Sequence, residues 1–179
     1  EIRRVAEENG FVNARKKDSQ DICFVPDGDY SKFIEGYCNK KYEKGFFIDK
    51  DGNILGEHNG IIRYTIGQRK GLNISLGHPA YVVSKDIANN TVTLGANEDL
   101  FCDTLFANDF NWIIEKPKYP INCFAKTRYN MKEVPCRVEC EENSDRVKVV
   151  FDNPVRAVTS GQAVVLYDGD YVLGGGTII

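Results

Sequence analysis

The amino-acid sequence predicts a mainly β fold, with a short helical segment at the N-terminus, a small central β domain and a C-terminal β-barrel. Three observations predict it: the N-terminal residues carry helical spacing of apolar side chains, the residues after Lys44 form short β-prone runs broken by turn residues, and five or six such runs near the C-terminus have no helix between them. Closing these strands into a barrel removes exposed strand edges, which makes a barrel the favoured arrangement.

The N-terminal segment begins with a helical pattern. In "EIRRVAEENG", Ile2, Val5 and Ala6 share one helix face, and Gly10 is a natural C-terminal stop. A chain that starts within a helix and without a methionine is expected to be part of something longer. Residues 22–25 predict a short strand.

A second helix is predicted within "GDYSKFIEGYCNK". Its apolar residues recur at spacings of three and four and form one stripe, comprising Tyr30, Phe33, Ile34, Tyr37 and Cys38. Because Cys38 lies on that stripe, we expect it to be a core residue.

Two hairpins define the predicted central domain. "GFFIDKDGNILGEHNG" has Asp51-Gly52 between two apolar runs, and "AYVVSKDIANNTVTLG" has residues 88–90 between two more. The segment between the hairpins, "IIRYTIGQRKGLNISLG", is rich in glycine and basic residues, which is typical of a functional loop.

The barrel strands are predicted from about Phe106 onward, with "EKPKYP" (115–120) as the entry to the domain. Alternation in "RVKVVF" places Val147, Val149 and Phe151 on one face. Residues 168–170 predict a tight turn, and "LGGG" (173–176) predicts a bulged strand that another backbone passes closely.

Composition limits the classes of function. The net charge of −3 over 179 residues argues against bulk attraction to nucleic acid, but it permits local basic surfaces at "ARKK" (14–17), "GQRKG" (67–71) and "AKTRY" (125–129). Taken alone, each of these is more often a solvated face. No apolar stretch approaches the roughly 20 residues that span a bilayer, so no membrane partner is expected.

The six cysteines are scattered, which favours a reduced, cytoplasmic protein over a disulfide framework. Cys136 and Cys140 have a C-x3-C spacing, but a zinc site needs a second pair of ligands and none is recognisable, so no metal is expected. The residues alone support a β-rich module, with RNA binding as its function.

Four motifs taken together resemble those of the tRNA-specific 2-thiouridylases. They are "NARKKDSQDICFV" (13–25), "YTIGQRKGL" (64–72), "AKTRY" (125–129) and "FDNPVRAVTSGQAVVLYDGDYVLGGGTI" (151–178). The resemblance covers nearly all the residues, in the family's order. It implies the C-terminal portion of such an enzyme, without the N-terminal ATP-pyrophosphatase domain, and a barrel like those of translation factors. The expected domains are 1–36, the tail of the catalytic domain; 37–104, the central β domain; and 105–179, the barrel.

The resemblance implies a tRNA-uridine 2-sulfurtransferase, which places sulfur on C2 of the wobble uridine in tRNAs for lysine, glutamate and glutamine. Such enzymes use ATP, here expected in the missing N-terminal domain and not on these residues, and receive sulfur from a sulfur-carrier or cysteine desulfurase protein. The 179 residues alone are expected to be inactive. Two alternatives are a stand-alone RNA-binding β module and a methyltransferase. The methyltransferase is disfavoured because the sequence shows no glycine-rich loop of the kind that binds S-adenosylmethionine.

The resemblance implies that Cys23 is the catalytic residue that carries sulfur as a persulfide. Sulfur transfer favours cysteine because it needs a polarizable and reversible nucleophile. Lys16 and Lys17 could favour its thiolate form. From the residues alone, the favoured interpretation of Cys23 is a buried cysteine packed beside Phe24. Asp21 stands where other family members often have glycine, which could alter the geometry of the loop.

The expected RNA contacts lie in both β domains. The resemblance implies contacts from Arg128, Tyr129 and Gln162. Lys126 and Arg128 alternate along a predicted strand and so share a face, while Tyr129 either stacks on a base or packs in the barrel.

The second expected RNA contact is the basic pair in "GQRKG". Arg69 and Lys70 stand between glycines that let the backbone approach a phosphate closely, and the alternative is a turn whose basic residues are only solvated.

Overall fold

The computed structural model describes residues 1–15, 25, 28–140 and 144–179, which form two compact units, residues 1–42 and 43–179. The mainly β fold is confirmed. The predicted strand over residues 22–25 lies outside the described residues, except for Val25, which is buried. The elements are α1 (Ile2–Glu8), α2 (Tyr30–Cys38), β1 (Gly45–Ile48), β2 (Ile54–His58), β3 (Tyr81–Asp86), β4 (Thr91–Gly95), β5 (Phe101–Trp112), β6 (Ile121–Lys126), β7 (Val134–Cys140), β8 (Val147–Arg156), β9 (Ala163–Asp168) and β10 (Tyr171–Ile178).

The two helices of the N-terminal unit begin and end where local chemistry places them. Helix α1 is followed by Gly10, whose φ of 72° ends it as predicted. Helix α2 is capped by Asp29, whose carboxylate accepts a hydrogen bond from the Lys32 backbone N–H at 3.0 Å. With seven and nine residues, neither helix reaches the length and apolar character of a membrane span, and the rest of the described chain has no helix that does.

The prediction that Cys38 is a core residue is wrong, because its side chain is exposed. Cys38 is the last residue of α2, and Asn39 after it adopts a left-handed conformation with φ 46° that ends the helix. Tyr37 on the same stripe is exposed and stacks on Phe33 with ring centroids 6.1 Å apart. Helical spacing therefore identified the stripe but not its burial.

The central domain is a four-stranded sheet in the order β2-β1-β4-β3, and both predicted hairpins are confirmed. The Asp49 carboxylate accepts hydrogen bonds from the backbone N–H groups of Asp51 and Asn53, at 2.9 and 2.8 Å, which shapes the turn of the first hairpin. The two hairpins join through parallel pairing of β1 with β4.

An aromatic cluster of Phe47, His58 and Tyr64 forms part of the core of this sheet. His58 is 1% exposed. Its Nδ1 accepts the Gly60 backbone N–H at 3.2 Å, and its Nε2 lies 3.1 Å from the Asn90 carbonyl oxygen. A neutral ring with its proton on Nε2 satisfies both contacts, and burial lowers the pKa of this imidazole.

The six remaining strands close into a barrel in the order β10-β5-β8-β7-β6-β9, which confirms the predicted closed barrel. Its interior is apolar, and Val147, Val149 and Phe151 on β8 point inward as their alternation predicts. The turn between β9 and β10 is also confirmed, since the strands end at Asp168 and restart at Tyr171.

The barrel begins earlier than the sequence indicated. Strand β5 precedes "EKPKYP", so that segment connects two barrel strands and is not the entry to the domain. A bulge hides β5 from simple alternation, because Asp109 has φ 52° and the register against β10 shifts beside it. The expected domain boundary between 104 and 105 falls inside β5, and the one between 36 and 37 falls inside α2.

The predicted bulged strand at "LGGG" is confirmed. The register of β10 shifts on both sides of Gly174 and Gly175. A Cβ at Gly174 would lie 2.6 Å from the Asn111 carbonyl oxygen, and one at Gly176 would lie 2.7 Å from the Asn108 carbonyl oxygen. The neighbouring backbone of β5 is therefore too close for any larger residue.

Candidate nucleic-acid interface

Four of the residues predicted to contact RNA line one concavity at the end of the barrel. Its volume is about 690 Å³. Its lining includes Lys126, Arg128, Tyr129 and Gln162, together with Tyr167 of β9. Lys126 and Gln162, which are 36 positions apart in sequence, line the same concavity because β6 and β9 are neighbours in the barrel.

Arg128 does not lie on a strand beside Lys126, so the predicted shared strand face is wrong. Strand β6 ends at Lys126, and residues 127–130 form a turn. Thr127 is buried and its Oγ1 lies 3.4 Å from the Met131 Sδ, which anchors that turn. The Arg128 guanidinium instead donates a hydrogen bond to the backbone carbonyl oxygen of Ala157. Both side chains still reach the concavity, but from a strand end and a turn.

The charge of Lys126 is compensated within the barrel. Its ammonium lies 3.0 Å from the Glu133 carboxylate and 5.1 Å from the centroid of the Tyr167 ring. A lysine held in this way presents less net charge to a polyanion than a free one. Among the described residues, Arg128 has no carboxylate partner. Its positive charge is therefore less compensated than that of Lys126.

Tyr129 and Gln162 are both exposed at the rim of the concavity. Tyr129 is 96% exposed, so the alternative that it packs inside the barrel is excluded. Gln162 is fixed through its backbone, since its N–H donates to the Thr159 carbonyl at 3.2 Å and its carbonyl accepts from Ile178 at 2.8 Å. Its amide side chain is thereby presented to solvent from a fixed position.

The "GQRKG" loop is an internally bonded turn that exposes Arg69 and Lys70. Gln68 braces it, because its Oε1 accepts the Thr65 backbone N–H at 2.9 Å and its Nε2 donates to the Lys70 carbonyl at 3.0 Å. Gly67 and Gly71 have φ of 85° and 77°, a conformation that favours glycine. Arg69 lines a separate concavity of about 420 Å³, so the structure does not bring this loop into the one lined by Lys126.

A junction centred on Ala157 connects the barrel to this loop. Its N–H donates to the Leu100 carbonyl at 2.7 Å, and its carbonyl accepts from both Arg128 and Thr159. A Cβ placed on Gly67 would lie 3.1 Å from the Ala157 Cβ, so the loop passes directly over this residue. The sequence did not indicate a role for Ala157, because its backbone φ of 53° leaves no signal in composition or periodicity.

Arg156, the last residue of β8, was also missed. Its Nε donates to the Asn97 Oδ1 at 3.1 Å, and its guanidinium lies 5.4 Å from the centroid of the Tyr81 ring. Arg156 therefore reaches from the barrel onto the central sheet. The only signal in the sequence was its position within the motif at residues 151–178.

The predicted catalytic residue, Cys23, lies outside the described residues, as do Lys16, Lys17 and Asp21. Of the other cysteines, Cys123 and Cys136 are buried in the barrel core with their sulfur atoms 3.8 Å apart. The contact with Cys123, together with burial, raises the pKa of the Cys136 thiol. The described part of the chain contains no cluster of three or more metal-ligating side chains.

The described residues do not fit the phosphates of ATP. Within residues 1–15, 25 and 28–42, the described part of the N-terminal unit, there are two short helices and no glycine-rich loop between a strand and a helix. No chemical step is therefore assigned to ATP on these residues.

Comparison with known proteins identifies three consecutive family domains. Residues 1–27 match the tRNA methyl transferase HUP domain, residues 31–96 the tRNA methyl transferase PRC-barrel domain, and residues 102–178 the aminomethyltransferase beta-barrel domain. These domain names reflect the family's nomenclature and assign no activity to the chain.

Relatives similar over the whole chain are named tRNA-specific 2-thiouridylase MnmA. That of Acetivibrio thermocellus is 52% identical, over 99% of this chain and 50% of the relative. That of Clostridioides difficile is 48% identical over 99% of this chain and 49% of the relative, and that of Lachnoclostridium phytofermentans is 48% identical over 100% and 50%. The chain thus spans about half the length of the curated relatives it matches. From these matches, the chain belongs to the tRNA-specific 2-thiouridylase family.

Proposed function

We propose that the chain is part of a tRNA sulfurtransferase that places sulfur on C2 of the wobble uridine in tRNAs for lysine, glutamate and glutamine. In this proposal, residues 1–36 belong to the catalytic domain and contribute Cys23. Residues 37–104 and 105–179 form two β domains that hold the tRNA. The full-length protein would join this chain to the family's ATP-pyrophosphatase domain.

One observation carries the RNA-binding part of the proposal: Lys126, Arg128, Tyr129 and Gln162 meet around one concavity of about 690 Å³. Two cations, an exposed aromatic ring and an amide are the groups that bind phosphates, stack on unpaired bases and read base edges. The volume is within the range of sites that enclose small ligands, and an unstacked base is of that size. Arg69 and Lys70 would add contacts from the central domain.

The chemical part of the proposal depends on Cys23. Its thiolate would attack a sulfane sulfur on a carrier or cysteine desulfurase protein, which breaks the donor's sulfur–sulfur bond and leaves a persulfide on Cys23. The terminal sulfur would then add to C2 of the uridine, where O2, activated with ATP, would be the leaving group. A second thiol would break the sulfur–sulfur bond of the persulfide by forming a disulfide with Cys23. We place this activity in the cytoplasm, where reducing conditions keep such thiols unpaired. ATP would be bound by the domain that these 179 residues do not include.

The experiment compares the 179-residue chain with the full-length protein. Each is incubated with an unmodified tRNA transcript, ATP and a persulfide donor, and nucleosides from the digested tRNA are analysed by mass spectrometry. The full-length protein is expected to form 2-thiouridine, and the 179-residue chain is expected to form none. Thiolation by the 179-residue chain would contradict the proposed division of labour, and no thiolation by either would contradict the proposed reaction.

A second candidate is an RNA-binding β module without catalysis. It is favoured by the fact that the described residues contain an exposed basic and aromatic rim but no fit for ATP. A measurement of tRNA affinity added to the same experiment separates the two: tRNA binding by the full-length protein without formation of 2-thiouridine would favour the binding module.

A further inference from the structure

A second concavity is also lined by the turn that carries Arg128. It measures about 420 Å³ and shares Arg128 and Asn130 with the first. Its remaining lining is apolar except for one more arginine, and consists of Met131, Val134, Pro154, Val155 and Arg156. Arg128 and Arg156 therefore line the same pocket, and its lining includes no Asp or Glu.

Arg156 is held in place by groups that leave its charge uncompensated. The amide oxygen of Asn97 accepts from its Nε, and the ring of Tyr81 lies beside its guanidinium. Neither contact supplies a negative charge. Because the side chain is fixed before any ligand arrives, binding an anion would cost little side-chain entropy.

Within the described residues, neither Arg128 nor Arg156 pairs with a carboxylate. Five other cations of the two β domains do have such a partner: Lys44 with Glu57, Lys50 with Asp99, Lys126 with Glu133, and Arg137 and Lys148 with Glu139. A partly buried cation without a counter-ion favours binding of an anion.

We propose that this pocket binds a phosphodiester of the RNA backbone, with Arg128 and Arg156 as its ligands. The proposal rests on the proposed function. Arg128 commits one N–H to the Ala157 carbonyl, which leaves other N–H groups of its guanidinium for a phosphate. The apolar lining from Met131, Val134 and Pro154 accommodates the sugar beside that phosphate.

The location of Arg156 gives this site a role in linking the two β domains. A Cβ on Gly67 would lie 3.4 Å from the Arg156 Nη1, so the guanidinium reaches the start of the "GQRKG" loop. A phosphate at Arg156 would therefore lie beside the start of the loop that carries Arg69 and Lys70. The RNA strand would run from the barrel turn toward that loop.

The test measures tRNA affinity of the full-length protein at several salt concentrations, for the wild type and for Arg156→Ala, Arg156→Lys and Asn97→Ala. If Arg156 binds a phosphate, Arg156→Ala weakens binding on the order of tenfold. It also lowers the salt slope, which is the steepness with which the logarithm of the binding constant falls with the logarithm of salt concentration, by about one. Arg156→Lys keeps the slope because it keeps the charge. Asn97→Ala also keeps the slope, since it removes only the group that orients the arginine.

Other outcomes overturn the proposal in distinguishable ways. If wild-type protein binds no tRNA, the proposed function and this site both fail. If it binds, and Arg156→Ala leaves the slope unchanged, this site alone fails. Equal loss of affinity and melting temperature in Arg156→Ala and Asn97→Ala, at an unchanged slope, would make Arg156 a structural link only. Stabilisation of the wild type but not Arg156→Ala by inorganic phosphate, with no change in the tRNA slope, would assign the pocket to free phosphate.

Discussion

The Arg128 guanidinium donates a hydrogen bond to the Ala157 carbonyl oxygen, which ties the turn after β6 to the end of β8. Ala157 itself is buried beneath the "GQRKG" loop. A residue expected to contact RNA is thus also a support for the junction between the barrel and the central sheet. This double role changes what substitution of Arg128 is expected to do.

Arg128→Ala is expected to weaken tRNA binding by about 1–3 kcal/mol if the arginine reads a base edge, or to lower the salt slope by about one if it contacts a phosphate. It should also lower the free energy of unfolding by about 1 kcal/mol, because a hydrogen bond to Ala157 is lost while Thr159 still donates to that carbonyl. Affinity and melting temperature are measured together. Arg137→Ala, at an exposed position on β7, is the matched control, and an equal loss of affinity in that variant would refute a specific contact.

Glu133 is expected to restrain RNA binding through Lys126. Because Glu133 pairs with that lysine at 3.0 Å, Glu133→Gln should free the ammonium, strengthen tRNA binding severalfold and steepen its salt dependence. Lys126→Ala should weaken binding less than Arg128→Ala does. Titration of labelled tRNA at two ionic strengths checks both. An affinity in Glu133→Gln equal to or below that of the wild type would argue that the concavity does not bind a polyanion.

His58 is expected to make the central sheet sensitive to acid. Burial lowers the pKa of this imidazole in the folded state, so between that value and about 6.5 the unfolded chain binds more protons than the folded one. The free energy of unfolding should therefore fall as the pH drops below about 6.5. Melting temperatures across this range test it.

The control for His58 uses the other histidine of the chain. His58→Gln should flatten the pH dependence of melting, whereas His78→Gln, at an exposed loop position, should leave it as in the wild type. If both variants keep the wild-type pH dependence, protonation of His58 does not limit stability.

The cysteines are expected to differ in reactivity according to burial. In a Cys23→Ser background, exposed Cys38 should react rapidly with a thiol reagent, while Cys123 and Cys136 should react only on unfolding. Contact with Cys123 and burial raise the pKa of Cys136, which adds to its protection. Peptide mapping of the labelled sites gives the order of reaction. Early labelling of Cys136 would contradict the packed barrel core.

Local patterns predicted the elements better than they predicted the contacts between them. The hairpin at Asp51-Gly52 and the inward face of Val147 and Val149 follow from turn chemistry and strand alternation, and both are confirmed. Strand β5 was not predicted, because the bulge at Asp109 breaks the alternation of its side chains. Spacing also placed Cys38 in the core, since periodicity cannot say which stripe another element covers.

Only part of the candidate site could be predicted from the sequence, because local patterns do not predict contacts between elements. Motif resemblance supplied Arg128, Tyr129 and Gln162, which meet around one concavity. It did not supply Arg156, whose contacts with Asn97 and Tyr81 bring together residues from different elements. Such long-range contacts leave no trace in local spacing, so only the folded barrel and sheet reveal them.

We propose that Cys23 is the sulfur-carrying cysteine of a tRNA 2-thiouridylase. The most direct measurement is formation of 2-thiouridine by the full-length protein carrying Cys23→Ser, with Cys38→Ser as the matched control and tRNA affinity measured for both. Serine preserves the size of the side chain but cannot carry a persulfide. Cys23→Ser is therefore expected to abolish thiolation at nearly unchanged tRNA affinity, while Cys38→Ser keeps both. Sulfur transfer retained in Cys23→Ser would contradict the claim.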